Sequence, residues 1–200
     1  DFKGNVLGSS RQFAQDYTAT LDWGGDVPLE TDVFASQTRY DALNRPVQMI
    51  APHSNQPGTG INALQPGYNE AGLLEHVDAW FGLASEADGP LEPSSASLHA
   101  VTNIDYDAKG QRMAIAYGNG VQTTYTYAPL TFRLRRALTV RDPSLFPGDC
   151  PQPGTADWPG CQVQNLHYTY DATGNVTHIR DEAQQTVYFR NRRVEPSAEY

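Results

Sequence analysis

Two hundred residues suffice for one domain with its own core or for part of a longer polypeptide. A formal net charge of −9 and an isoelectric point near 4.9 argue against a nucleic-acid partner, which calls for a basic face. No apolar run is long enough to span a membrane and no signal-like stretch occurs, so a chain running from Asp1 to Tyr200 reads as a slice of something longer.

Val, Ile, Leu and Phe together number only 39, at the margin where a chain stops burying enough area to fold. Eleven tyrosines and three tryptophans reverse that reading, because aromatic rings bury large areas and suit strands. With 17 glycines and 14 prolines marking turns, the class is turn-rich all-β.

The chain opens on DFKG, residues 1–4, a turn of the kind that recurs four more times. Residues 11–36 fit either a short helix or irregular strands. Tyr40 then leads into Asp41–Asn44, and a loop is predicted over 51–60 (APHSNQPGTG). Tyr68 precedes Asn69–Gly72, and a second loop follows at 84–97. Ile104 and Tyr106 alternate into Asp107–Gly110. Met113, Ile115 and Tyr117 then share a face opposite Arg112, Ala114 and Ala116. Asn119-Gly120 signals a two-residue hairpin turn joining 111–117 to 121–127. Residues 132–140 begin with strand-like alternation, Phe132 and Leu134 facing opposite Arg133 and Arg135. A third loop insertion covers 142–161. Leu166, Tyr168 and Tyr170 share the face that enters Asp171–Gly174.

Each recurring turn has one mechanical explanation. Asp or Asn at the first position accepts a backbone hydrogen bond and fixes the reversal. Glycine three residues later supplies positive φ and yields a bulged three-residue hairpin loop, and Asn44 is the next best residue there. The spacing of Tyr40, Tyr68, Tyr106 and Tyr170 is uneven, as for a tandem hairpin unit of about 20 residues with insertions.

No catalytic, cofactor or metal signature emerges. There is no phosphate-cradling loop, no nucleophile elbow and no zinc-protease motif. Asp41, Asp107 and Asp171 are accounted for by turns, and Asp105 with Asp107 closes no cation site. His167 and His178 lie on opposite arms of one hairpin, where His178 faces His167 or Tyr168 depending on register; a metal or pH-sensing pair competes there with ordinary strand histidines. Arg133, Arg135, Arg136 and Arg141, with Arg190, Arg192 and Arg193, read as solvated or cross-strand-paired charges. Cys150 and Cys161 bracket a Pro/Gly loop and fit either a disulfide or two free thiols.

Tyr106–Gly110 and Tyr170–Val176, with the longer stretches 40–54, 101–134 and 163–197, resemble the YD repeats of the RHS family. They are similar to the RHS-repeat region of the bacterial insecticidal toxin complex (B/C component) and of SpvB-like proteins. The resemblance implies tandem YD hairpins joined into an extended, curved antiparallel sheet, with residues 1–200 as one segment of a spiral shell. The shell of such proteins encloses a toxic C-terminal polypeptide for delivery. The implied partners are neighbouring RHS repeats of the parent, the enclosed toxin and a translocation-channel component. Secretion or surface display follows, and no catalytic residue or cofactor carries over. Asp142-Pro143 does not match the family's self-cleavage motif. A different class of reading is a cell-surface or carbohydrate-binding module that stacks sugars on exposed tyrosines.

Overall fold

The computed structural model describes residues 1–18, 20–142, 144, 146, 162–184 and 186–200. Cys150, Cys161 and most of the 142–161 insertion lie outside the described residues, as does Pro143 of the Asp-Pro pair.

The fold is all-β. The strands are β1 (Gly8–Ala14), β2 (Leu29–Tyr40), β3 (Pro46–Ser54), β4 (Ile61–Tyr68), β5 (Leu74–Leu83), β6 (Leu98–Tyr106) and β7 (Arg112–Tyr117). They continue with β8 (Gln122–Tyr127), β9 (Leu134–Val140), β10 (Gln162–Tyr170), β11 (Val176–Asp181), β12 (Val187–Phe189), β13 (Arg192–Val194) and β14 (Ser197–Glu199). Twelve of them form one open antiparallel sheet in chain order, β1 to β11 and then β14. The remaining two make a separate hairpin, β12 with β13. Among the described residues no helix is long and apolar enough to cross a membrane.

The chain divides into two compact units, Asp1–Ala100 and Val101–Tyr200. In the first, Ile50, Ile61, Ala63 and Trp80 form a buried cluster, packed against Leu83, Leu91 and Ala96. In the second, Ile104 and Ile115 face each other across the β6–β7 ladder, and Ala137 of β9 is buried as well. Directly opposed apolar pairs of this kind are the unit of sheet stabilisation.

Several expectations shift. Residues 51–54 belong to β3, so the loop is confined to 55–60; proline at 52 is tolerated because β3 pairs with β4 at Met49 and Ile50, before the proline is reached. Residues 11–36 hold the end of β1, a connection and the start of β2, with no helix among the described residues. Phe132 sits at φ 57, outside β9, so strand alternation starts at Leu134 rather than two residues earlier. Around Asn119-Gly120 only Gly120 has positive φ, and Gly120 N–H bonds Tyr117 O at 3.0 Å while Tyr117 N–H bonds Val121 O. That is a three-residue bulged loop, not the two-residue turn. The two-residue turn occurs instead at Arg190-Asn191, where both residues are left-handed.

Because the sheet is a meander, alternate connections fall at opposite ends of the strands. In the first unit the 41–45 and 69–73 turns share one end, and the 15–28, 55–60 and 84–97 connections share the other. In the second unit the turns after β6, β8 and β10 share one end, and the connections after β7 and β9 the other.

Candidate functional site

The hairpin tips carry the repeated chemistry, and their geometry is uniform. Gly4, Asn44, Gly72, Gly110 and Gly174 all have positive φ, from 64 to 110. Each donates its N–H to the carbonyl of the Asp or Asn three residues earlier, except Gly174, whose N–H goes to the Asp171 carboxylate at 2.6 Å. Asp107 Oδ1 accepts from the N–H groups of Lys109 and Gln111 at 2.8 and 2.9 Å, and Asp41 Oδ1 accepts from Leu43 and Arg45 at 2.8 and 2.9 Å. Asn69 makes the equivalent bond to Leu73 at 3.0 Å. A carboxylate so surrounded is stabilised in its charged form. At Asp171 the Asn175 amide, the Thr173 hydroxyl and the Asn175 N–H hold the carboxyl well below its ordinary value. At Asp41 the N–H of Arg45 leads the same effect.

Tyrosines link each hairpin to the one before it. Tyr68 Oη donates to Pro46 O at 2.8 Å, Tyr127 Oη to Arg112 O at 2.9 Å and Tyr170 Oη to Leu134 O at 2.7 Å. In every case the acceptor is the first residue of the second arm of the preceding hairpin. The rings are half-buried, which pushes the Tyr68 and Tyr127 hydroxyls up from their ordinary pKa. Tyr40 and Tyr106 end β2 and β6 at the corresponding positions.

Long polar side chains then join tip to tip. Lys3 Nζ donates to Ala42 O at 3.0 Å, and Asn5 Nδ2 to Asn44 Oδ1 at 3.1 Å. Arg45 pairs with Asp41 at 2.7 Å on its own tip and stacks 4.3 Å from the Tyr68 ring on the next. In the second unit Gln111 Nε2 donates to Phe132 O at 2.9 Å, and Lys109 lies over the Phe132 ring. Arg133 Nη1 donates to Asp171 O at 3.0 Å and stands over Tyr170. A Cβ added at Gly174 would lie 2.7 Å from the Arg133 guanidinium, so this glycine serves both the left-handed backbone and the approach of the neighbouring tip.

In sequence and in fold the chain is similar to known proteins. The chain is 35% identical over 172 residues to toxin subunit YenC1 of Yersinia entomophaga, an alignment covering 86% of the chain and 15% of that subunit. It is 29% identical over 206 residues to toxin subunit YenC2 of the same organism, covering 98% and 18%. The crystal structure of TcdB2-TccC3 superposes on 98% of the chain and 8% of its own length, with a TM-score of 0.62 and 26% identity. The chain is homologous to RHS-repeat subunits of insecticidal toxin complexes. It spans less than a fifth of the length of the curated relatives it matches. No protein-family profile matches it.

Beyond the tips, this toxin-complex homologue holds a strap that the amino-acid pattern does not announce. Residues 84–97 cross one face of the first unit. Gln37 and His53 bond the Glu86 carboxylate at 2.6 and 2.8 Å. Arg39 bonds Ala87 O at 2.8 Å and also Asp88 O, and Gln48 bonds Gly89 O at 2.8 Å. The Gln65 carboxamide both accepts from Leu91 N–H, at 2.6 Å, and donates to Leu91 O, at 3.0 Å. Trp80 Nε1 reaches Ser95 Oγ at 3.0 Å. Gln48, only 1% exposed, also donates to Gln65 Oε1 at 2.9 Å. Four strands are thus braced by one loop.

The histidines part company with their expected facing. His178 pairs with Thr169 and His167 with Arg180, because a bulge at Thr169/Tyr170 offsets the register. His167 Nε2 lies 3.1 Å from Glu182 instead. Among the described residues no group of three or more His, Cys, Asp or Glu side chains could hold a metal ion. Arg136 pairs with Asn165 at 2.7 Å and Arg193 with Glu195 at 2.9 Å. Tyr127 and Phe132 form a sixth tip without the Asp-x-x-Gly signature; the tyrosine before a turn was the available signal.

Proposed function

We propose that the chain is a wall segment of an RHS-repeat shell that encloses a toxin polypeptide within a secreted toxin complex. In this reading the YD turns are structural, the chain itself performs no chemistry, and its partners are neighbouring repeats, the enclosed polypeptide and a translocation-channel component. The carrying observation is the repeated bond from a tip tyrosine to the backbone of the preceding hairpin, at Tyr68, Tyr127 and Tyr170. It locks successive hairpins at a fixed offset, which suits a sheet extended by adding hairpins. Homology to toxin-complex subunits supports the same reading.

Protease protection in the full-length parent tests it. Trypsin or proteinase K is added to the intact protein and to a variant carrying Tyr68→Phe, Tyr127→Phe and Tyr170→Phe together. The C-terminal region resists digestion in the intact protein and is degraded earlier in the variant. A C-terminal region digested at the same rate in both, as fast as an isolated C-terminal fragment, sinks the enclosure reading.

A further inference from the structure

An antiparallel sheet with one face in water alternates apolar with polar residues along each strand. The central strands of the first unit are apolar on both faces. Ile50, Ile61, Ala63 and Trp80 point toward the strap and pack against its Leu91 and Ala96. The residues between them form a second row on the other side. Thr38 faces Met49, Met49 faces Leu64 and Leu64 faces Ala79, so the row crosses β2 to β5. Val77 and Phe81, two residues either side of Ala79, continue it along β5. Leu64 is 37% and Phe81 54% exposed, against 0% for Ala63 and 3% for Trp80 on the strap side. None of these four strands is an edge of the sheet, since β1 flanks β2 and β6 flanks β5. Hairpins joined edge to edge extend the sheet in its own plane and leave this row uncovered.

Charge divides the two sides in the same way. Arg39 bonds Ala87 O and Asp88 O of the strap, and Asp78 faces Gln65, whose carboxamide holds the strap at Leu91. The strap adds Glu86, Asp88 and Glu92. The opposite row, from Thr38 through Met49 and Leu64 to Ala79, with Val77 and Phe81, holds no ionisable group in a chain of formal net charge −9.

We propose that this uncharged side of β2 to β5 is the contact surface for the enclosed polypeptide in unfolded form, and that the strap side meets bulk water. This assignment rests on the shell reading and adds which side of the wall is which. A wall one sheet thick has water on one side and its contents on the other. Turned outward, Met49, Leu64, Val77 and Phe81 form an apolar patch open to water and to other copies. Turned inward, the same patch is covered by apolar side chains of the contents. The acidic strap follows the reverse logic, because carboxylates are well solvated outside and lose that hydration against an apolar chain. Beyond the Thr38 hydroxyl the row offers no hydrogen-bonding side chain. Any apolar stretch of an unfolded chain fits it, and none is held in a unique register.

The test places a photoreactive benzophenone side chain at single positions of the full-length parent. The positions are Leu64 and Phe81 on the proposed inner side and the exposed Ser94 on the strap. Phe81 is already an exposed aromatic residue, so the probe there leaves the core intact, and an unaltered circular dichroism spectrum verifies it. After irradiation, mass spectrometry should find adducts with the C-terminal polypeptide at least tenfold more often from Leu64 and Phe81 than from Ser94. Adducts from Ser94 alone, or equally from both sides, overturn the assignment. Adducts of Leu64 and Phe81 only with a second copy, or only with another part of the shell, overturn it as well. Proteinase K on the same samples separates this assignment from the shell reading. A C-terminal region that resists digestion yet gives no adduct at either position leaves the enclosure standing and sinks the assignment. One digested as fast as an isolated fragment removes the enclosure and the assignment with it.

Discussion

Tyr68 and Pro46 are 22 positions apart in the chain, yet the tyrosine hydroxyl donates to the proline carbonyl at 2.8 Å. The acceptor begins β3, just past a tip, where a carbonyl at the strand start is open to a neighbour. Because the same relation recurs at Tyr127 with Arg112 and Tyr170 with Leu134, it defines the step from one hairpin to the next.

Removing that hydroxyl is expected to loosen the step without displacing the ring. Tyr68→Phe should cost about 1 kcal/mol, the net worth of a typical hydrogen bond. Hydrogen exchange of the full-length protein reads it locally, as faster exchange of amides in β3 and β4 with β10 and β11 unaffected. Equal acceleration throughout the chain would point to a global effect.

Glycine substitutions separate backbone strain from crowding. Gly4→Ala meets no atom within 4 Å and carries only the left-handed penalty, about 1 kcal/mol. Gly174→Ala adds the encounter with Arg133, so its loss of exchange protection at the tip should be the greater of the two. Combining Gly174→Ala with Arg133→Ala should recover part of the difference, and a strictly additive double variant would remove Arg133 from the explanation.

Asp171 predicts a pH dependence. Its carboxyl is held low by the Asn175 amide, the Thr173 hydroxyl and backbone N–H groups. A value depressed by folding stabilises the hairpin fully above the unfolded-state value near 3.9, and that contribution is lost as the pH falls toward the folded value. Asp171→Asn keeps an acceptor, as Asn69 does, but no charge. After correction for intrinsic exchange, the wild-type tip should be better protected than the variant at pH 6, with the gap narrowing below pH 4. A gap constant from pH 6 to pH 3 contradicts the assignment.

The strap should fail at Gln65. Gln65→Ala leaves Leu91 N–H and C=O unpaired and removes one of the two bonds made by the Gln48 amide, which should cost about 2–3 kcal/mol. Limited proteolysis would then nick residues 84–92 first. Nicking elsewhere, with 84–92 still protected, counts against the strap as a brace.

The turns were legible because their chemistry is local: Asp41 or Asp107 bonds backbone only two and four residues on, so the motif and the geometry occupy the same window. The strap was not, since Gln48 and Gln65 find their partners 41 and 26 residues away and a glutamine in a strand announces nothing about them. Phe132 adopts a left-handed conformation that its side chain does not encode, and a neighbouring lysine and glutamine hold it there. The His167/His178 register failed for the same reason that most strand registers do, a bulge invisible in the residue pattern.

In the first unit the short, cross-linked turns lie on one hem of the strands and the long connections on the other. Lys3 and Arg45 stitch the first hem at a pitch that an inserted residue would break. On the opposite hem Gln56 Nε2 donates to Asp32 and Val33 N–H to Asn55 Oδ1, bonds that tie a connection to the start of β2 rather than to another tip. An inserted residue is therefore better absorbed by the long connections than by the stitched turns, which keep the repeat in step.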